Sequence, residues 1–245
     1  MKNIVDIILK EKPSFQVKSG AKSSIKSTEQ LFFRSVDGVE TSNMERTAYT
    51  IDKSLMKYIQ QNSTNLISLE TGGGNSTLIF GQNSKKHYTI NPDKTACKLI
   101  KEFLDNNNIE NNISYITQAS ENALPNISNI IENQSIDICL IDGNHSFPAP
   151  IIDWFYIDPL LKKNSILIID DFKIKAVDIL IKFLKEDDSY QYERRLGDAL
   201  VFIKKSDVKM GWLNQKMNRN PSIVFKSYLK KVLPEFLVKA LSRKY

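Results

Sequence analysis

Three consecutive glycines, Gly72, Gly73 and Gly74, stand between the pair Glu70-Thr71 and the hydroxyl pair Ser76-Thr77. The run Leu66-Ile67-Ser68-Leu69 ahead of them is rich in β-formers, and Leu78-Ile79-Phe80 follows, so the segment reads as buried strand, tight turn and helix. Glycine permits positive φ and leaves no Cβ between main chain and ligand, while the first turn of a helix carries unpaired N–H groups. Such a bend suits the holding of a small molecule at the carboxyl end of a strand. A phosphate-gripping loop needs Gly-Lys-Ser/Thr, but Asn75 stands where the lysine belongs; a dinucleotide fingerprint is broken by Ser76-Thr77. The preceding acid also suits a cationic or hydroxyl-bearing ligand better than a phosphate. A left-handed turn with no ligand is the alternative.

Other polar residues fall at the ends of apolar runs. Asn91 closes His87-Tyr88-Thr89-Ile90, Asp142 closes Ile136–Ile141, and Asp170-Asp171 close Ser165–Ile169. Between these strands lie helical patterns: Ala96, Leu99, Ile100, Phe103 and Leu104 after Pro92-Asp93; a short helix from Ala119 to Ile131; Ile151 to Leu161; and Val177 to Leu184. Ile113–Gln118 is a further strand, and Tyr190–Leu196 with Ala199–Ile203, joined by Gly197-Asp198, read as a hairpin. Alternation at this interval implies parallel crossovers, and unbroken apolar strands imply a sheet buried on both faces. The expected fold is a doubly wound, mostly parallel seven-stranded α/β sheet with an antiparallel C-terminal hairpin. Ligands of such sheets bind beyond the carboxyl ends of the strands where strand order reverses, which is where Glu70, Asn91, Asp142 and Asp170 are expected to converge.

With 41% apolar residues, the 245-residue chain fits one domain with appendages. We expect an arm over 1–43 that begins with a short helix, a domain over 44–205 that begins with an amphipathic helix carrying Ala48, Ile51, Leu55, Tyr58 and Ile59, and a tail over 206–245. Two cysteines, Cys97 and Cys139, exclude a disulfide scaffold, and the charged start and the lack of a membrane-length apolar run point to a soluble, cytoplasmic protein. The net charge of +6 is unevenly placed: from Lys205 onward ten basic residues face only Asp207 and Glu235, leaving 24 basic and 26 acidic side chains before that point. A nucleic-acid-binding surface on the body is therefore disfavoured. The tail segment Ile223–Leu241 alternates apolar residues with lysines and is divided by Pro234. Its apolar face suits packing on the core, a homodimer contact, or peripheral attachment to an anionic membrane.

From about Asn65 to Lys205 the chain resembles the class I S-adenosylmethionine-dependent methyltransferases. The carriers are Glu70-Thr71-Gly72-Gly73-Gly74-Asn75-Ser76-Thr77, Ile141-Asp142-Gly143-Asn144-His145, Asp153, and Ile168-Ile169-Asp170-Asp171. It is similar to the small-molecule and sugar O-methyltransferases more than to the protein- and nucleic-acid-methylating branches, whose Asn-Pro-Pro-Tyr type signature is missing. The resemblance implies a Rossmann-like fold, S-adenosylmethionine as cofactor, and methyl transfer to a hydroxyl of a small molecule or saccharide. A non-catalytic binding protein that kept the fold and an RNA-modifying methyltransferase are the alternatives.

The resemblance further implies that Glu70 lies near the aminocarboxypropyl end of the cofactor, with Thr71, Gly72, Gly73, Gly74, Ser76 and Thr77 along its body. Asn91 takes the place of the acid that usually grips the ribose, and Ser120 and Glu121 lie by the adenine edge. Asp142, His145, Asp170 and Asp171 form the reaction end, with His145 as base, Asp142 and Asp171 beside it, and Asp142 also within reach of cofactor. If a magnesium ion takes part, Asp142, Asp170 and Asp171 would hold it. Plainer roles are a helix cap or loop tie for His145, an N-cap and its neighbour for the paired aspartates, a structural place for His87, and helix core for Trp154, Phe155 and Tyr156.

Overall fold

The computed structural model describes residues 3–13, 15, 51–207 and 215–218. The greater part of the expected arm, the start of the helix expected from Asn43 and the basic tail helices lie outside the described residues. The leading helix is α1, Ile4–Glu11, which Asn3 caps by accepting from Val5 N–H. It buries Ile4, Val5 and Ile8 in the core, and Ile4 N–H donates to Gln82 Oε1 at 3.1 Å.

The remaining order is α2 (Lys53–Asn62), β1 (Ile67–Thr71), α3 (Asn75–Asn83), β2 (Lys86–Ile90), α4 (Lys94–Asn106), β3 (Ile113–Ile116) and α5 (Ser120–Ala123) with a 3₁₀ turn over Leu124–Asn129. Then come β4 (Ile136–Ile141), α6 (Ala149–Ile157), a 3₁₀ turn over Asp158–Leu160, β5 (Leu161–Ile169), α7 (Lys175–Glu186) and the hairpin β6 (Tyr190–Leu196) and β7 (Ala199–Lys204). A last 3₁₀ turn spans Lys216–Asn218. Helix starts follow local chemistry: Asp52 accepts from Ser54 N–H at 2.7 Å, and Asp93 accepts from the N–H groups of Thr95 and Ala96 at 2.9 Å each.

The sheet order is β3-β2-β1-β4-β5-β7-β6, parallel except where β7 pairs antiparallel with β5 and β6. This is the expected seven-stranded, Rossmann-like arrangement, and its order reverses between β1 and β4. Two apolar layers enclose it. Ile138, Leu140, Ile168 and Val201 face one layer with α1 to α4, while Cys139, Ile141, Leu167, Ile169, Leu200 and Phe202 face the other with α6 and α7. Neighbours along one strand thus enter opposite cores, which is why these runs are apolar throughout instead of alternating.

Boundaries differ from the expected ones where polar residues are carried inside an element. β5 begins at Leu161, four residues before the apolar run, because Leu161 pairs with Ile136 ahead of a register shift. The helix expected over Ile151 to Leu161 starts at Ala149 and gives way to a 3₁₀ turn at Asp158-Pro159.

Candidate active site

The polar rim is built by continuing the strand ladders past their ends. Gly72 N–H donates to Ile90 O, Asn91 N–H to Ile116 O, Asp142 N–H to Thr71 O and Asp170 N–H to Ile141 O, at 2.9 to 3.1 Å. Asn91, Gly72, Asp142 and Asp170 therefore stand side by side at one edge of the sheet, across the point where strand order reverses.

The glycines divide by role. Gly72 has φ +87°, and a Cβ there would lie 2.1 Å from Asp142 O; one at Gly73 would lie 2.7 Å from Asn91 Nδ2. Backbone packing thus demands glycine at 72, while a Cβ at 73 would displace the Asn91 side chain. A Cβ on Gly74 would meet nothing within 4 Å, so open space lies over the third glycine.

Glu70 is fully buried, and its side chain lies on the α3 face of the sheet and not on the open rim. Its Oε1 accepts from the Thr77 hydroxyl and lies 3.1 Å from His87 Nε2; its Oε2 is enclosed without a hydrogen-bond partner. Ser76 and Thr77 are buried in the first turn of α3. Asn91 is nearly buried, and its Oδ1 accepts from Asp93 N–H at 3.0 Å, so one side of the amide serves the turn into α4. Ser120 is buried at the start of α5 and Glu121 is exposed.

On the opposite face, Asp153 of α6 is 1% exposed, and neither of its carboxylate oxygens has a hydrogen-bond partner. A Cβ on Gly143 would lie 3.2 Å from Asp153 Oδ2 and 3.1 Å from Thr71 Oγ1, so this acid lies beneath the turn that follows β4. Burial raises its pKa, and the Ser120 and Thr71 hydroxyls oppose the rise. The sequence marks Asp153 only through the family motif, because an acid at one helical position carries no sign of which way it faces.

The reaction end holds one imidazole between two carboxylates. His145 Nε2 lies 3.6 Å from Asp142 Oδ1 and Nδ1 lies 3.5 Å from Asp171 Oδ2, with 23%, 26% and 39% of the three side chains exposed. Burial pulls the His145 pKa down, but the carboxylates of Asp142, Asp171 and Asp170 outweigh it and hold it above the ordinary imidazole value. Burial raises Asp142; Asp171 and Glu70 add to the rise and His145 opposes it, while the quarter of the side chain in water moderates all of these. Burial also raises Asp171, and Asp170 is pushed up to about 8 by burial and by Asp142 and Asp171. Asp171 sits at φ 53°, a left-handed conformation that aspartate tolerates better than most residues, and its N–H donates to Asp170 Oδ1 at 2.9 Å. The bend turns Asp171 toward His145.

Two plainer roles are excluded by the helix starts. The N-cap of α7 is Ile174 and that of α6 is Pro148, so neither the aspartate pair nor His145 caps the following helix. Trp154 is core, with its ring edge against Phe183 and Nε1 donating to Tyr190 OH at 3.3 Å; Phe155 departs from the helix-core expectation at 55% exposed. Among the described residues, Asp142, His145 and Asp171 form the group compact enough to hold one metal ion, their ligand atoms lying within 4.8 Å of one another. Asp170 is the neighbour of this group and not part of it.

Comparison with known proteins agrees with this fold. A family model described as a methyltransferase domain matches residues 69–172. The fold is similar to that of an O-methyltransferase from Bacillus cereus solved with S-adenosylhomocysteine, at TM-score 0.54 and 14% identity over 73% of this chain and 90% of that one. It is also similar to a Staphylococcus aureus protein assigned as a caffeoyl-CoA O-methyltransferase, at TM-score 0.54 and 19% identity over 83% and 97%. A methyltransferase from Geobacter sulfurreducens aligns at TM-score 0.50 and 12% identity over 63% and 80%. No curated protein matches the sequence. The sheet order and the glycine bend at its reversal agree with the family-model match: residues 69–172 are similar to a methyltransferase domain, set in a Rossmann-like methyltransferase fold.

Proposed function

We propose that the chain transfers a methyl group from S-adenosylmethionine to a hydroxyl of a small molecule or saccharide. The observation that carries this reading is the placement of His145 between Asp142 and Asp171 on the rim shared with the glycine bend. Methyl transfer requires in-line approach of the acceptor oxygen to the sulfonium methyl, so most of the acceleration comes from positioning, and the protein need only remove one proton. An imidazole flanked by carboxylates accepts that proton, and the carboxylates stabilise the resulting cation. Open space over Gly74 leaves the nucleoside body room against the bend, with Ser120 and Glu121 beyond β3 on the adenine side. The Bacillus cereus relative, solved with S-adenosylhomocysteine, supports the choice of cofactor.

The donor set also fits a divalent cation: Asp142, Asp171 and His145 offer oxygen and nitrogen atoms close enough to share one, and carboxylates held this near each other repel until a cation or proton separates them. Magnesium bound there would orient and acidify the acceptor hydroxyl. Asp142 and Asp171 are its first ligands in this reading, with Asp170 behind them.

The test is transfer of labelled methyl from S-adenosylmethionine to fractionated extract of the source cell, with and without magnesium, alongside calorimetric titration with S-adenosylhomocysteine. We expect a labelled low-molecular-weight or glycan product. His145→Ala should lower the rate about 100- to 10,000-fold while binding S-adenosylhomocysteine normally. Failure of the wild-type protein to bind either form of the cofactor would remove the enzyme reading.

A further inference from the structure

A buried hydrogen-bonded chain runs from the glycine bend down the α3 face of the sheet, through a histidine that the reaction end does not use. Gly74 N–H donates to Thr77 Oγ1 at 3.0 Å, and the Thr77 hydroxyl donates to Glu70 Oε1. The same Oε1 lies 3.1 Å from His87 Nε2; His87 Nδ1 lies 2.8 Å from Ser68 Oγ, and Ser68 Oγ lies 2.7 Å from Ser84 Oγ. Ser68, Glu70, Thr77 and His87 are all at most 1% exposed, and Phe80 stacks on the His87 ring with centroids 4.9 Å apart. Parallel register brings this about: Ser68 pairs with His87 and Glu70 with Thr89, so Ser68 and Glu70 project to the face on which His87 lies.

A carboxylate oxygen accepts, so Nε2 carries the hydrogen toward Glu70, and the Ser68 and Ser84 hydroxyls continue the chain beyond Nδ1. Both donors converge on Oε1. Oε2 is left enclosed and without a partner, although leaving a buried carboxylate oxygen unpaired is unfavourable. A core histidine could satisfy itself more simply; this one sets Nε2 on the same carboxylate oxygen that Thr77 ties to the loop N–H of Gly74, and sets Nδ1 on Ser68.

We propose that His87 is a positioning residue for the aminocarboxypropyl end of the cofactor, acting through Glu70 and Thr77 on the glycine bend. The inference rests on the cofactor reading above. The consequence of this brace is that the start of α3 is held with its remaining N–H groups toward the cofactor's carboxylate. That consequence does not touch the nucleoside.

That separation supplies the test. S-adenosylhomocysteine carries the amino-acid tail, whereas 5′-methylthioadenosine carries the same nucleoside and thioether without it. Both are titrated calorimetrically into the full-length wild type, His87→Phe, His87→Gln and Ser68→Ala. Phenylalanine keeps the stack on Phe80 but donates nothing, and we expect tenfold or greater weakening of S-adenosylhomocysteine with methylthioadenosine unchanged within twofold. Glutamine restores a donor toward Glu70 and should recover most of the loss. Ser68→Ala releases only the far side of the ring and should weaken S-adenosylhomocysteine a few-fold, again sparing methylthioadenosine. Should His87→Phe fail to fold, the Ser68→Ala and His87→Gln titrations decide. Equal weakening of both ligands, or no change in either, would overturn the positioning role and leave His87 as core. If the wild type binds neither ligand, the cofactor reading falls, and this inference with it.

Discussion

At the scale of single residues, the triple glycine separates structural need from ligand need. Gly72 has positive φ and would drive a Cβ to 2.1 Å from Asp142 O, whereas Gly74 has extended backbone and open space. Gly72→Ala should destabilise the domain by at least about 2 kcal/mol in urea unfolding, since neither the dihedral nor the contact can relax without moving the β4 end. Gly74→Ala should leave stability within about 0.5 kcal/mol and weaken S-adenosylhomocysteine instead, because the added methyl enters the space the ligand needs. If the two variants lose stability equally, this division of roles is wrong. Cys97 gives a second test at this scale. Burial, with Asp93 and Glu70 nearby, raises its thiol from 9.0 to about 11. Between these values the unfolded chain has released a proton that the folded chain keeps, so stability declines as pH rises through this window. The Cys97 share of that decline is on the order of 1–2 kcal/mol by pH 10.5, and Cys97→Ala should remove it. The check is the difference between wild type and variant in urea unfolding at pH 8 and at pH 10.5; a difference that does not change with pH would show the thiol to be solvated.

At the scale of elements, pattern and turn chemistry carried most of the fold. Every expected strand is present, β4 over the expected Ile136–Ile141, and the Gly197-Asp198 turn closes the hairpin as its composition requires. Convergence at the rim was legible too, because a parallel sheet places all its strand ends at one edge whatever the side chains are. What could not be read was the direction of individual polar side chains. Glu70 stood for a rim acid but is buried against His87; Asp153 carried no role but lies unpartnered beneath Gly143. Deciding either requires knowing which residues of other strands lie alongside, and local periodicity does not encode this. Lys204 is the same kind of omission. At the end of β7 it is 2% exposed, and its Nζ donates to the carbonyls of Asp158 at 2.7 Å and Leu161 at 3.2 Å, with carboxylates of Asp207 at 3.0 Å and Asp158 at 3.4 Å. It ties the hairpin to the 3₁₀ turn that launches β5. Lys204→Ala leaves the buried carbonyls and the buried Asp158 carboxylate facing a cavity, so we expect a loss of about 3–5 kcal/mol with an unchanged urea m-value. A loss under about 1 kcal/mol would mean that water replaces the ammonium there.

At the scale of the whole molecule, two dry layers and one wet rim explain where stability is spent. Among the described residues, several buried side-chain atoms without a hydrogen-bond partner, Glu70 Oε2, Thr71 Oγ1 and both Asp153 oxygens, lie around the ends of β1 and β4, while those of Ser63, Tyr115 and Ser165 lie elsewhere. Each such group costs roughly 1–3 kcal/mol, a burden that a fold keeps where a ligand relieves it. A cofactor seated on the glycine bend binds the folded state alone, since the bend, the β4 end and α5 meet only when the sheet is formed. Its effect on stability therefore follows mass action: at 100 times the dissociation constant the gain is about 2.7 kcal/mol. For a domain of this size, that raises the melting temperature by roughly 5–10 °C. Thermal unfolding should show this shift with S-adenosylhomocysteine, growing with the logarithm of ligand concentration. A melting temperature that does not move at millimolar ligand would mean that the rim is not built for this cofactor, and the unpartnered groups would then need another occupant.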